Sequence, residues 1–87
     1  MPIVSIFFGI VIRINFYDHN PPHLHAEHGG REAVFDIRTG ALMEGAIPRT
    51  ATRRVQLWIS MHREALLANW DLAYSGEPFL KIPGLEP

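Results

Sequence analysis

The chain has 87 residues, 47% hydrophobic and 20% charged, with a formal net charge of -1 and no cysteine. That balance lies inside the globular range, far from disorder-prone compositions, and area scaling gives one domain that buries roughly 9000 Å² on folding, about 64% of its unfolded surface. The lack of cysteine excludes a disulfide framework, a thiolate zinc site and a Cys nucleophile and fits a reducing, cytoplasmic setting; the near-neutral charge excludes DNA binding by a broadly basic surface.

The apolar start, Ile3 to Phe16, is interrupted by Gly9 and Arg13 and lacks both a basic n-region and an A-x-A-like cleavage site. It is too short to span a bilayer, so it reads as strand rather than address, and no membrane association is expected. Ile3 to Phe8 reads as one strand. Residues 10–17 read as another, because Ile10, Ile12, Ile14 and Phe16 alternate with Val11, Arg13, Asn15 and Tyr17 at a period of two. Gly9 marks a bend or bulge between them. Asp18-His19-Asn20-Pro21-Pro22 is irregular, since two prolines remove donors and fix φ.

His23 to His28, Gly29-Gly30 and Arg31 to Arg38 form a hairpin pattern, because a Gly pair accepts the positive φ of a primed turn. With those two glycines as the loop, His28 faces Arg31, Glu27 faces Glu32, Ala26 faces Ala33, His25 faces Val34, Leu24 faces Phe35 and His23 faces Asp36. One face then carries Leu24, Ala26, Ala33 and Phe35, a core face, and the other carries His23, His25, Glu27, Glu32, Val34 and Asp36. Glu27 opposite Glu32 is a like-charge pair that calls for a cation or an arginine, and Asp36 is placed to orient His23. Thr39-Gly40 marks a turn and Ala41 to Ala46 a short edge strand, which leaves self-association through that edge open.

After Pro48 the rhythm is helical. Ala51, Val55, Trp58, Ile59, His62, Leu66, Asn69, Trp70 and Ala73 recur at three- and four-residue steps, and Gly76 with Pro78 supplies the stop. Leu57, Met61, Ala65, Ala68 and Leu72 make a second stripe beside a narrow polar face of Arg53, Gln56, Ser60, Arg63 and Asp71, so the helix is expected to be covered on more than one side. Residues 1–87 are thus expected to form a single α+β domain. Strands and hairpin occupy 3–46 as a three- or four-stranded antiparallel sheet, one long C-terminal helix at about 49–75 packs on one face, and an extended tail covers 77–87.

The chemistry concentrates in His19, His23, His25 and His28 with Asp18 and Asn20 beside them. His23 and His25, two apart on one strand face, can share a divalent transition metal with a carboxylate such as Asp36 or Glu27. The same pair can move protons without metal, one imidazole as base and the other as acid, or simply hydrogen-bond loop carbonyls around the two prolines. Arg49, Arg53 and Arg54 sit in or beside the first turns of the helix, where the macrodipole disfavours cations by about 0.3–1 kcal/mol each. Phosphate would compensate Arg49 and Arg53 through bidentate contacts, and so would a carboxylate or an acidic partner; Arg54 reads as paired with a surface carboxylate. His62, Trp58 and Trp70 fit the apolar periodicity and read as core positions.

The segments FFGIVIRI, DHNPPHLHAEHGG, EAVFDI and WISMHREALLANW resemble the short bacterial proteins gathered as domain of unknown function 4160, over nearly the whole chain. The positions that carry the resemblance are Asp18, His19, Asn20, Pro21, Pro22, His23, His25, Ala26, Gly29 and Gly30, then Trp58, His62, Arg63, Glu64, Asn69 and Trp70 in the helix. His28 departs from it, since similar proteins often carry an aromatic residue there. Members are commonly encoded beside a second small protein and treated as components of toxin–antitoxin-like pairs. The resemblance implies a small antitoxin-like cognate protein and a host-directed activity, not a reaction; the function expected is that of a cytoplasmic bacterial toxin component, with RNA as a candidate target. On that reading His23 and His25 are ligand or proton-transfer groups with Asp36 as orienter, and Arg49, Arg53, Asp18, His19 and Asn20 contact phosphate or the partner. The alternative is a non-catalytic module that captures a partner protein or a metal through the NPPHLHA loop, so whether the domain is an enzyme stays open, and no cofactor is required beyond that candidate metal.

Overall fold

Turn chemistry sets the sheet. In the computed structural model, which describes residues 2–78 and 80–86, the elements are β1 (Ile3–Phe7), β2 (Ile10–Arg13), β3 (His23–His28), β4 (Arg31–Asp36), β5 (Leu42–Gly45) and α1 (Arg49–Tyr74). Phe8 (φ 50) and Gly9 (φ 73) both adopt positive φ, the signature of a two-residue primed turn, so Gly9 closes a β1–β2 hairpin rather than bending a continuous ribbon. Gly29 (φ 60) and Gly30 (φ 80) close β3 onto β4 in the same way. The result is an antiparallel meander of five strands, one or two more than the pattern alone suggests, in the order β1-β2-β3-β4-β5.

The β3–β4 register runs from His23 opposite Asp36 to His28 opposite Arg31, as the Gly-Gly loop requires. Strand alternation then sends Leu24, Ala26, Ala33 and Phe35, all 0% exposed, into the core under α1. On the other face Arg13 answers the Glu27–Glu32 juxtaposition, its guanidinium lying 2.9 Å from Glu27 Oε1.

β2 ends earlier than its alternation suggests. Ile14 is still fully buried, but Tyr17 donates its backbone N–H to Ala73 O at 2.9 Å, which draws the chain off the sheet toward the end of α1. Phe16, expected on the core face, is therefore 41% exposed.

The helix buries one face. Ala51, Val55, Trp58, Ile59, Leu66, Asn69, Trp70 and Ala73 are buried, with the Trp58 ring 5.0 Å from that of Phe7. His62, on the same stripe, is only partly buried and is where the helix kinks (φ -123, ψ 22). Polar side chains fasten the flanks: Gln56 Nε2 donates to Gly40 O at 2.9 Å and Arg63 Nε to Ile37 O at 3.0 Å. The tail runs back along the other flank, where Trp58 Nε1 donates to Pro83 O, Asn69 exchanges two hydrogen bonds with Leu80, and Ile82 N–H donates to Val4 O. The second apolar stripe is covered only in part: Ala65, Ala68 and Leu72 line a groove with the tail residues Leu80 to Pro83, and Leu72 is half-buried, but Leu57 and Met61 stay 55% and 59% exposed. No helix among the described residues is long and apolar enough to cross a membrane.

Candidate functional site

Two stretches of chain bring chemistry to the start of β3. The face of β2 that presents Arg13 continues to Asn15, and the loop through the cis Asn20-Pro21 bond carries Asp18 back beside His23 and His25. Together with His19, Asn20, Pro21, Val34, Met43 and Glu44 they line an open cleft of about 440 Å³.

His23 is held at both nitrogens. The Pro21 carbonyl can only accept, so Nδ1 donates to it at 2.7 Å; the opposite nitrogen, Nε2, lies 2.9 Å from Asp18 Oδ2. A carboxylate also only accepts, so a neutral ring cannot satisfy both partners. The geometry demands either a second proton on His23 or a cation shared between Nε2 and Oδ2.

His25 repeats the pattern less tightly. Its Nε2 faces Asn15 Nδ2 at 3.4 Å and Asp18 Oδ2 at 3.9 Å. Its Nδ1 is 3.4 Å from Glu32 Oε2, within ion-pair distance but out of line for a hydrogen bond, so Nδ1 is buried with no hydrogen-bond partner. Asn15 Oδ1 is orphaned likewise. Two unsatisfied buried polar atoms in one cleft are unusual, since burying such a group unpaired costs about 1–3 kcal/mol.

Asp18 is the hub. Burial pushes its carboxyl pKa up, but the His19 N–H donated to Oδ1 at 2.9 Å, the charge and hydrogen bond of His23 and the charge of His19 outweigh burial and hold it below its ordinary value. Asp18, His23 and His25 each offer one ligand atom, and the three lie within 4.8 Å of one another. Donors around one transition-metal ion sit about 2.0–2.2 Å from it, hence roughly 3 Å apart. The His23–Asp18 separation of 2.9 Å already matches, whereas His25 Nε2, 3.9 Å from Asp18 Oδ2, has to move inward to complete the set.

Apart from His19 and Asn20, which line the cleft, the other sequence candidates go elsewhere. Asp36 lies opposite His23 in register, yet its carboxylate accepts the backbone N–H groups of Arg38 at 2.7 Å and Thr39 at 3.1 Å, so Asp18, not Asp36, orients His23. Arg49 and Arg53 begin α1 and do not line the cleft. Arg54 stacks over the Phe8 ring, 3.9 Å from its centroid, rather than meeting a carboxylate. His19 is 93% exposed beside Asp18, and His28, at the far end of β3, reaches Gly9 O at 3.2 Å. His62 packs against Trp58 with ring centroids 5.5 Å apart. Asn15 and Glu44 join the cleft without belonging to any motif, although the alternation of Val11, Arg13 and Asn15 does place Asn15 on the histidine face.

The fold and the site together define a small α+β domain with a histidine–carboxylate cleft at one end of a five-stranded meander. The chain belongs to the family described as Domain of unknown function (DUF4160), whose model matches residues 9–71, a span that includes every residue lining the cleft. No match was found among curated proteins or among solved structures.

Proposed function

We propose that the domain holds a divalent transition metal on Asp18, His23 and His25 and uses it to hydrolyse phosphodiesters of RNA, as the toxin-type member of a two-protein module. One observation carries the metal: with Nδ1 of His23 committed to Pro21 O and Nδ1 of His25 beside Glu32, both Nε2 atoms face the Asp18 carboxylate, at 2.9 and 3.9 Å, the second also 3.4 Å from Asn15 Nδ2. Acceptors facing acceptors attract a cation, and two imidazoles with one carboxylate suit zinc, nickel, copper or iron. Asn15 Oδ1, buried and unpartnered, is a fourth donor within the same cleft.

The metal supplies Lewis-acid polarisation of a phosphoryl oxygen. This chain's own residues orient the ligands: Pro21 O fixes the His23 tautomer, Glu32 favours a proton on His25 Nδ1, and the His19 N–H holds Asp18 ionised. The cleft wall carries the carboxylates of Asp18 and Glu44 and neither Arg nor Lys, so a phosphate there meets a compensating charge only from a bound cation or a protonated imidazole. The partner rests on the family resemblance and the metal on geometry, and RNA is the substrate class proposed for that metal.

Calorimetric titration of protein purified without a His tag separates these parts. The expected result is one zinc or nickel ion per chain, weakened at least tenfold by Asp18→Ala, His23→Ala or His25→Ala, with RNA cleavage that a chelator abolishes. Wild-type protein that takes up no metal would overturn the site. Stoichiometric metal with no cleavage of RNA would favour the second reading, a binding module that presents the NPPHLHA loop to a partner.

A further inference from the structure

The uncovered face of α1 is ordered in a way that the cleft does not explain. At 3.6 residues per turn, Arg53, Leu57 and Met61 before the kink at His62 fall within an arc of about 80°, and Glu64, Ala68 and Asp71 after it within about 60°; all six are exposed. The stripe carries Leu57, Met61 and Ala68 with Glu64 among them, and it starts on a base and ends on an acid. Both ends oppose the macrodipole: the first turn holds no acid and the last turn no base, so Arg53 and Asp71 each sit where the other sign is favoured. Among the described residues the side chains of Arg53, Glu64 and Asp71 form no ion pair.

We infer that this face docks a second copy of the same chain, with the two α1 helices antiparallel. A two-fold axis passing beside residue 62 sets Arg53 of each copy against Asp71 of the other and brings Leu57 near Ala68. Met61 then lies over the axis against its own counterpart and the aliphatic stem of Glu64. Antiparallel packing also puts each positive helix start beside a negative helix end, so one arrangement compensates every misplaced charge. A parallel pairing would stack arginine on arginine. The order of charges is complementary to its own reverse, which is why the occupant is a second copy and not a partner of single-signed surface. The inference is independent of the metal reading.

Charge reversal tests it in the full chain by sedimentation equilibrium, with far-UV circular dichroism as control. Arg53→Glu sets two acids together and Asp71→Arg sets two arginines together. Each is expected to weaken the dimer by about tenfold, as the sum of two lost attractions and two new repulsions of a few tenths of a kcal/mol each, whereas Arg53→Glu with Asp71→Arg restores wild-type affinity. Both single changes favour the helix dipole, so a loss of dimer at unchanged helicity reports the interface and not unfolding. A wild-type chain that stays monomeric at millimolar concentration overturns the inference. So does a dimer indifferent to both reversals, which would place the interface elsewhere, such as on the edge strand β5.

Discussion

Asp18 and Asp36 show how one carboxylate becomes functional and another structural. Each could reach His23, but Asp36 ends β4 where the chain must turn, and the amides of Arg38 and Thr39 capture it as aspartates commonly do at the start of a turn. Asp18 has only the His19 amide, leaving Oδ2 for the imidazoles. Because its folded pKa is lowered, the stability it contributes is complete above its ordinary value of 3.8 and is lost as pH falls through the lower folded value. Urea denaturation of wild type and Asp18→Asn is therefore expected to show a midpoint difference at pH 5 that shrinks steadily below pH 4. A difference constant down to pH 2 would mean that the carboxylate's charge is not what stabilises the loop. Here the sequence was half legible: strand register named His23's neighbour by backbone position, while hydrogen-bond competition, which depends on where the chain turns, chose the carboxylate that contacts it.

At the scale of elements, the hairpin and the helix were readable because each has a strong period and its own stop signal: Gly29-Gly30 for one, Gly76 and Pro78 for the other. The β1–β2 turn was not, since Phe8 at positive φ gives no compositional sign and is tolerated only because the paired strands enforce it. β5 depends on a different glycine. Gly45 (φ 72) ends the strand, and a β-carbon there would run into the backbone carbonyl of Glu32. Met43 occupies the register shift between the Val34–Glu44 and Phe35–Leu42 pairs and joins Glu44 in the cleft wall. Gly45→Ala should thus cost about 1–2 kcal/mol from positive φ alone, with the clash added. Amide exchange would show faster opening in β5 and β4 than in β1 and β2. Equal exchange throughout would mean that β5 opens only with the whole sheet.

At the scale of the molecule, the cleft and the core meet where His23 lies against a core tryptophan. Trp70 belongs to the buried face of α1, 3% exposed, and its ring lies 5.1 Å from that of His23; Trp58, the other tryptophan, packs against Phe7 at the opposite side of the kink. His23 is thereby clamped between the helix and the loop, with the His25 ring 5.4 Å away, so the site is positioned by the same packing that holds α1 to the sheet. A cation bound there stabilises the fold by mass action, about 2.7 kcal/mol at a hundredfold excess over Kd, which raises Tm by on the order of 10 °C in a domain of this size. The gain is reduced to the extent that the unfolded chain also binds, and it does so more readily than most because all three ligands lie within residues 18–25. Cobalt or nickel bound at His23 should quench Trp70 and leave Trp58 bright. Trp70→Phe is then expected to abolish the fluorescence response while calorimetry still records uptake, and Trp58→Phe to preserve it. Quenching that survives Trp70→Phe would place the metal away from His23, and with it the link between the core and the cleft would fail.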